Sequence, residues 1–294
     1  MVQGKNKLFR ASFEQSKKIV KKEILTRDGA KIGISSSMSF WTRVSGLIAL
    51  AFSFIMYGVG IYLPDNMRES TKGVQVISES TGTLIGEIGL YLRPLILALV
   101  ILLSVIIILD IFPKINYAYQ LLYGNTFVVI SAIAMLVSSL PLTIGLTIGA
   151  FGVLAFMVQL LISVYLFKIM IVDQMNQFKN SIYNENEVES KDLGTPLMNF
   201  IKKYGGILLG LSVLNRWTFN FGEFSKENPG LMSFLSGWMF LLFIALLFFA
   251  EGLALKNFIK SFYFFKYRKE YREYFNITNA QWYGKFFARF MSKS

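Results

Sequence analysis

The sequence predicts an all-α, polytopic membrane protein, with about six transmembrane helices between amphipathic, basic N- and C-terminal segments. Apolar residues gather in runs of about twenty, the length at which an α-helix crosses a hydrocarbon core of roughly 30 Å. Charged residues make up 16% of the 294 positions and hydrophobic residues 54%, whereas a soluble domain carries about 25% charge. The net charge of +12 sits at the two ends, outside the apolar runs, which suits anionic lipid headgroups better than nucleic acid.

The chain has neither cysteine nor histidine. Disulfides, thiol nucleophiles, His-based triads and Cys/His metal sites are therefore excluded. No metal or cofactor site is expected. Richness in Ile, Phe, Lys and Asn fits a low-GC bacterium.

Residues 1–43 form a basic segment with ten Lys/Arg against Glu14, Glu23 and Asp28. Phe9, Phe13, Val20 and Ile24 fall near one helical face, and Lys17, Lys18, Lys21 and Lys22 mostly off it. That pattern predicts a helix lying in the membrane interface, with a partly disordered basic leader as the alternative. The transmembrane domain follows over 44–255. Its first span is 44–63, with Trp41 at the entrance and Tyr62 at the exit, since aromatic residues favour both interfaces.

Residues 65–82 read as a polar loop and 83–92 as an interfacial turn of helix. Pro94 suits the first turn of a second span over 95–112, where its missing N–H is no loss. The third span covers 121–140. Pro141, in the uncharged SSLPLT stretch, marks a tight corner before a fourth span over 142–167. Gly145, Gly149 and Gly152 are expected to let another helix approach closely.

Residues 168–203 make the longest polar loop. The segment 204–221, YGGILLGLSVLNRWTFNF, has an apolar portion short enough to be re-entrant. Residues 231–255 form the clearest span, and 256–294 a basic aromatic tail. Thr278 or Asn279 suits the N-cap of a tail helix.

Lysine and arginine accumulate on the cytoplasmic side of membranes. Both ends carry net +7, so both termini are expected in the cytoplasm of a cell-membrane protein. The clear runs number five, so an even count of crossings makes 204–221 a sixth.

Four charges lie in or beside spans. Arg93 is expected at the outer boundary, and Asp110 and Glu251 near the inner one, where each reaches headgroups or water by snorkelling. Arg216 falls roughly 18 Å into its span at ~1.5 Å per residue. An arginine at that depth needs a partner or a wet cavity, which makes it the candidate binding residue. In the tail, Trp282 and Phe286 fall on one side of the expected helix, and Lys285 and Arg289 on another. These four are the candidate lipid- or partner-facing residues.

No catalytic constellation, P-loop or GxGxxG motif is present. The expected function is therefore a non-enzymatic multi-pass subunit of a transport- or secretion-type membrane assembly, with other membrane or cytoplasmic subunits as partners. The alternative is a stand-alone transporter or channel with a site near Arg216. An intramembrane enzyme has least support.

Overall fold

The computed structural model describes residues 7–25, 37–69, 78–112, 114–183, 194–214 and 231–291. Within these, side chains at 194–197, 231–233, 285–287 and 290–291 are not described. The described residues contain helices and no strand. This follows from the apolar runs, because a helix pairs its own backbone where lipid offers no partner.

Among the described residues, five helices are long and apolar enough to cross a membrane: α1 (Phe40–Glu69), α2 (Glu79–Asp110), α3 (Tyr117–Phe151), α4 (Val153–Tyr183) and, after a shorter helix, α6 (Met239–Lys266). That shorter helix is α5 (Gly194–Leu214). The tail adds α7 (Arg268–Tyr274) and α8 (Asn279–Met291).

Several expected boundaries move. The loop expected over 65–82 is helical at both edges, since α1 runs to Glu69 and α2 starts at Glu79. Ser78 caps α2 by accepting the Thr81 N–H at 3.2 Å. Thr83–Leu92 is thus part of α2, and Pro94 lies inside that helix rather than at its start. Pro141 likewise makes no corner and is buried within α3. Hydroxyls work on the backbone around it: Thr143 donates to the Ser139 carbonyl at 2.9 Å, and Ser139 to that of Leu136 at 2.8 Å.

The third and fourth spans part at Gly152, eleven residues later than expected. Its φ of +86° is a conformation glycine adopts without steric cost. Gly145 and Gly149 therefore belong to α3, and their close-approach role holds. A Cβ on Gly145 would stand 2.3 Å from Ile85 Cγ1, and one on Gly149 2.4 Å from Thr81 Oγ1. The last span starts at Met239, after a short helix Leu231–Ser236 and a break at Gly237 and Trp238. Gly237 lies against the Phe151 ring, where a Cβ would stand 2.4 Å away.

The N-terminal segment is no continuous helix. Residues 7–25 form a strap with single turns at Phe13–Ser16 and Lys22–Ile24. Ser12 and Gln15 close the first turn as a reciprocal capping box. Val20 and Ile24 are buried against the bundle instead of facing lipid from an interfacial helix, and Phe9 stays exposed.

The helices run antiparallel in two hairpins, α1–α2 and α3–α4, with α6 packed along α3 and α4. The strap, Tyr117 and Leu121 of α3, Phe178 and Ile182 of α4, and residues 259–282 share one apolar cluster. Both terminal segments thus pack at one end of the bundle, here called the terminal end. The turn at Gly152, the start of α2 and the start of α6 lie at the opposite end, where Phe151 meets Trp238 with ring centroids 6.0 Å apart.

Exposed aromatics band the first hairpin. Trp41 and Tyr62 of α1 are 77% and 61% exposed, and Tyr91 of α2 and Phe112 just past its end are 85% and 62% exposed. In each pair the residues are about 32 Å apart along the chain at ~1.5 Å per residue, close to the hydrocarbon thickness. Arg43 reaches the Ile111 carbonyl and Arg93 pairs with Asp65, so the two bands coincide across the hairpin.

Candidate functional site

The terminal end concentrates the polar chemistry. Its core is a set of tyrosines that hold the strap by its backbone. Tyr263, Tyr267 and Tyr271 lie four residues apart, from α6 into α7. The Tyr263 hydroxyl accepts the Ala11 N–H at 3.1 Å and donates to the Leu8 carbonyl at 2.6 Å. Tyr267 donates to the Ala11 carbonyl at 2.6 Å. Tyr271 shares a hydrogen bond of 2.7 Å with the Ser16 hydroxyl. Tyr183, closing α4, donates to the Lys7 carbonyl at 2.8 Å, and Tyr117, opening α3, to that of Ile24 at 2.7 Å. The Lys266 ammonium adds bonds to the Phe9 and Ala11 carbonyls.

An irregular strap leaves backbone groups without partners of their own, and each buried one left unpaired costs about 1–3 kcal/mol. The phenols supply those partners, while their rings fill the apolar cluster. Phe13 meets Tyr271 edge-on at 4.9 Å, and Phe9 meets Phe262 at the same distance. Burial pushes the Tyr271 phenol well above its usual range, against the opposing pull of its Ser16 hydrogen bond.

A second polar cluster joins the strap's continuation to the first hairpin. Arg43, 3% exposed, donates to the Ser37 carbonyl at 3.2 Å and, at 3.4 Å, to that of Ile111. Asp110, 6% exposed, accepts the Gln120 amide at 2.7 Å. It is largely buried beside this partner rather than extended toward headgroups. Lys114 donates to the Leu109 carbonyl at 2.9 Å and stands 3.9 Å over the Tyr123 ring. Burial draws the Lys114 ammonium below its usual range, with Asp110 pulling the other way.

The other expected site residues separate. Arg93 forms an ion pair with Asp65, level with the Tyr62 and Tyr91 band. Glu251 is not at the end of its helix. It lies about 18 Å past Met239 at ~1.5 Å per residue. Its Oε2 is buried without a hydrogen-bond partner among the described residues. Asp110 and Glu251 share no partner there, so no carboxylate pair forms among those contacts. Arg216 lies outside the described residues.

Helix α8 begins where expected, with Thr278 and Gln281 capping each other. Trp282 does not face lipid or a partner. It is 3% exposed and packs against Phe264 at 6.0 Å, with the Arg272 guanidinium over its ring. Gly284, at φ +80°, breaks the helix against the Met38 carbonyl, so Trp282 and Phe286 do not share a continuous helical face. Arg289 is exposed, and the side chains of Lys285 and Phe286 lie outside the description.

No protein-family model matches this chain, and neither a curated protein nor a solved structure does. Among the described residues, no group of three or more Asp and Glu side chains is placed to hold a metal ion. The arrangement at the terminal end grips backbone and presents charge. The tyrosine clasp escaped sequence reading, although Tyr263, Tyr267 and Tyr271 at intervals of four were a visible signal.

Proposed function

We propose that this protein is a non-enzymatic, multi-pass subunit of a transport- or secretion-type membrane assembly. The observation that carries this reading is the union of strap and tail into one folded unit at one end of the bundle. A unit built from both chain ends, far apart in sequence and closed by side chain-to-backbone bonds, is a rigid platform for a partner. Helix α5 adds to this reading. Gly206 and Gly210 have nothing within 4 Å of a Cβ position, and Ile207, Leu209, Leu211 and Leu214 are exposed. That surface is available to lipid or to another membrane helix.

In this reading the terminal end is cytoplasmic, by the excess of basic residues on both chain ends. The same reading has six crossings, which the placement of Ile182 in the terminal-end cluster and of Met239 at the opposite end supports. A second reading, a stand-alone transporter or channel, draws support from Glu251, because a carboxylate deep in a span is costly unless it serves a function.

Native mass in mild detergent after affinity purification separates the two. The subunit reading expects a complex containing other polypeptides, and a protein recovered alone from every detergent overturns it.

A further inference from the structure

We infer that the strap–tail unit is a binding surface for anionic phospholipid, placed at the headgroup level of the bilayer in which the protein sits. The level follows from contacts. Gly284 of α8 packs against the backbone of Met38, three residues before the exposed Trp41 that marks the hydrocarbon edge. Phe265 meets Tyr119 at 4.6 Å, and the Arg268 guanidinium lies 5.8 Å from the same Tyr119 ring. Tyr119 stands one residue before Gln120, whose amide bonds Asp110 beside the exposed Phe112. The end of α6, α7 and α8 therefore meet the bundle at the depth of Trp41 and Phe112, where phosphate groups lie.

The charge suits that place. Residues 7–25 and 256–291 carry fourteen lysines and arginines against four glutamates. Glu14 is already paired with Lys17 at 2.7 Å. Arg10, Lys21, Lys22 and Lys269 are exposed, and Phe9 and Tyr274 offer exposed rings beside them. Basic side chains within a Debye length of an anionic surface each add to binding. Aromatic rings next to them suit the region between phosphate and chain. This surface does not depend on which assembly the protein joins, so its test and that of the assembly reading fail separately.

The test uses the full-length protein, delipidated in a neutral detergent and offered phosphatidylglycerol or phosphatidylcholine of identical acyl chains. Bound lipid is counted by native mass spectrometry. Wild type is expected to retain phosphatidylglycerol under activation that strips phosphatidylcholine. The triple variant K21Q/K22Q/K269Q removes charges that the tyrosine clasp does not use. It is expected to bind phosphatidylglycerol roughly tenfold more weakly or worse, consistent with the scale per basic residue at such surfaces, with phosphatidylcholine unchanged. An unchanged thermal transition in detergent shows that the variant is folded. If the transition falls, salt titration of phosphatidylglycerol binding to wild type replaces the variant, and retention that does not weaken with salt overturns the proposal. Equal retention of the two lipids by wild type, or wild-type retention of phosphatidylglycerol by the folded variant, also overturns it. Binding of an acidic peptide or RNA without preference between the lipids counts against it too.

Discussion

The Tyr263 hydroxyl is bonded to the backbone N–H of Ala11 at 3.1 Å, joining the two ends of the chain across 252 positions. Tyr263 and Ala11 are both fully buried, and the same oxygen donates to the Leu8 carbonyl. Tyr263→Phe keeps the ring and leaves the buried Ala11 N–H unsatisfied, at a cost of about 1–3 kcal/mol. The strap is expected to loosen first, since local opening needs less energy than global unfolding. Limited trypsinolysis checks this: cleavage at Lys17, Lys18 or Lys21 should quicken severalfold while the bundle stays resistant.

Tyr271 sets a pH limit on the same contact. Burial raises its phenol above the usual range, whereas in the unfolded chain it titrates near ~10. The folded state therefore holds its proton over a window where the unfolded state loses it. The contribution is complete below that value and falls as pH rises through it. Strap release should begin as the solution becomes alkaline, and Tyr271→Phe should flatten its pH dependence. Protease susceptibility across an alkaline series is the measurement, and an equally steep profile for the variant contradicts the assignment.

Gly145 and Gly206 look alike in sequence and differ in surroundings. Gly145→Val must displace Ile85, whose Cγ1 would stand 2.3 Å from the new Cβ. Overpacking of this kind costs about 1–3 kcal/mol, and thermal unfolding in detergent should report it. Gly206→Val meets nothing within 4 Å and should leave the transition in place.

Arg93 and Asp65 hold the opposite end of the first hairpin together. Both side chains are about one-third exposed, so water screens the pair and the coupling stays modest. A double-mutant cycle with Arg93→Gln and Asp65→Asn should give a coupling of roughly 1 kcal/mol or less. A value near zero would mean that packing of Gly86 and Gly89 against α1 sets this contact alone.

The absence of cysteine makes sidedness simple to read. Ser12→Cys lies on the exposed side of the strap and Glu79→Cys at the exposed start of α2. With six crossings and a cytoplasmic terminal end, an impermeant maleimide should label Glu79→Cys in intact cells and Ser12→Cys only after permeabilisation. The reverse pattern inverts the topology.

The spans themselves were legible because length and hydropathy follow from the thickness of the lipid layer. Their limits were harder to read. Pro141 looked like a corner, yet the helix runs on through it and the chain turns at Gly152, where φ is +86°, a conformation glycine adopts without steric cost. Asp110 sits at the end of its helix, but its largely buried carboxylate is held by Gln120, ten residues on, across a turn whose path sequence does not give. Trp282 looked like a lipid anchor and proved to be an inward packing residue, because Phe264 and the Arg272 guanidinium, both before α8 in the chain, cover its ring.

By itself, the sequence determined that this chain forms helices long and apolar enough to cross a membrane, with basic ends, since both properties depend on the local run of side chains. The tertiary structure alone decided that the two ends fold against each other and that five tyrosines hold them. It also placed Glu251 deep in its helix, with one carboxylate oxygen buried and unbonded among the described residues. The clasp depends on contacts between residues 93 to 256 positions apart, which helical packing brings together and for which the spacing of the tyrosines names no partner.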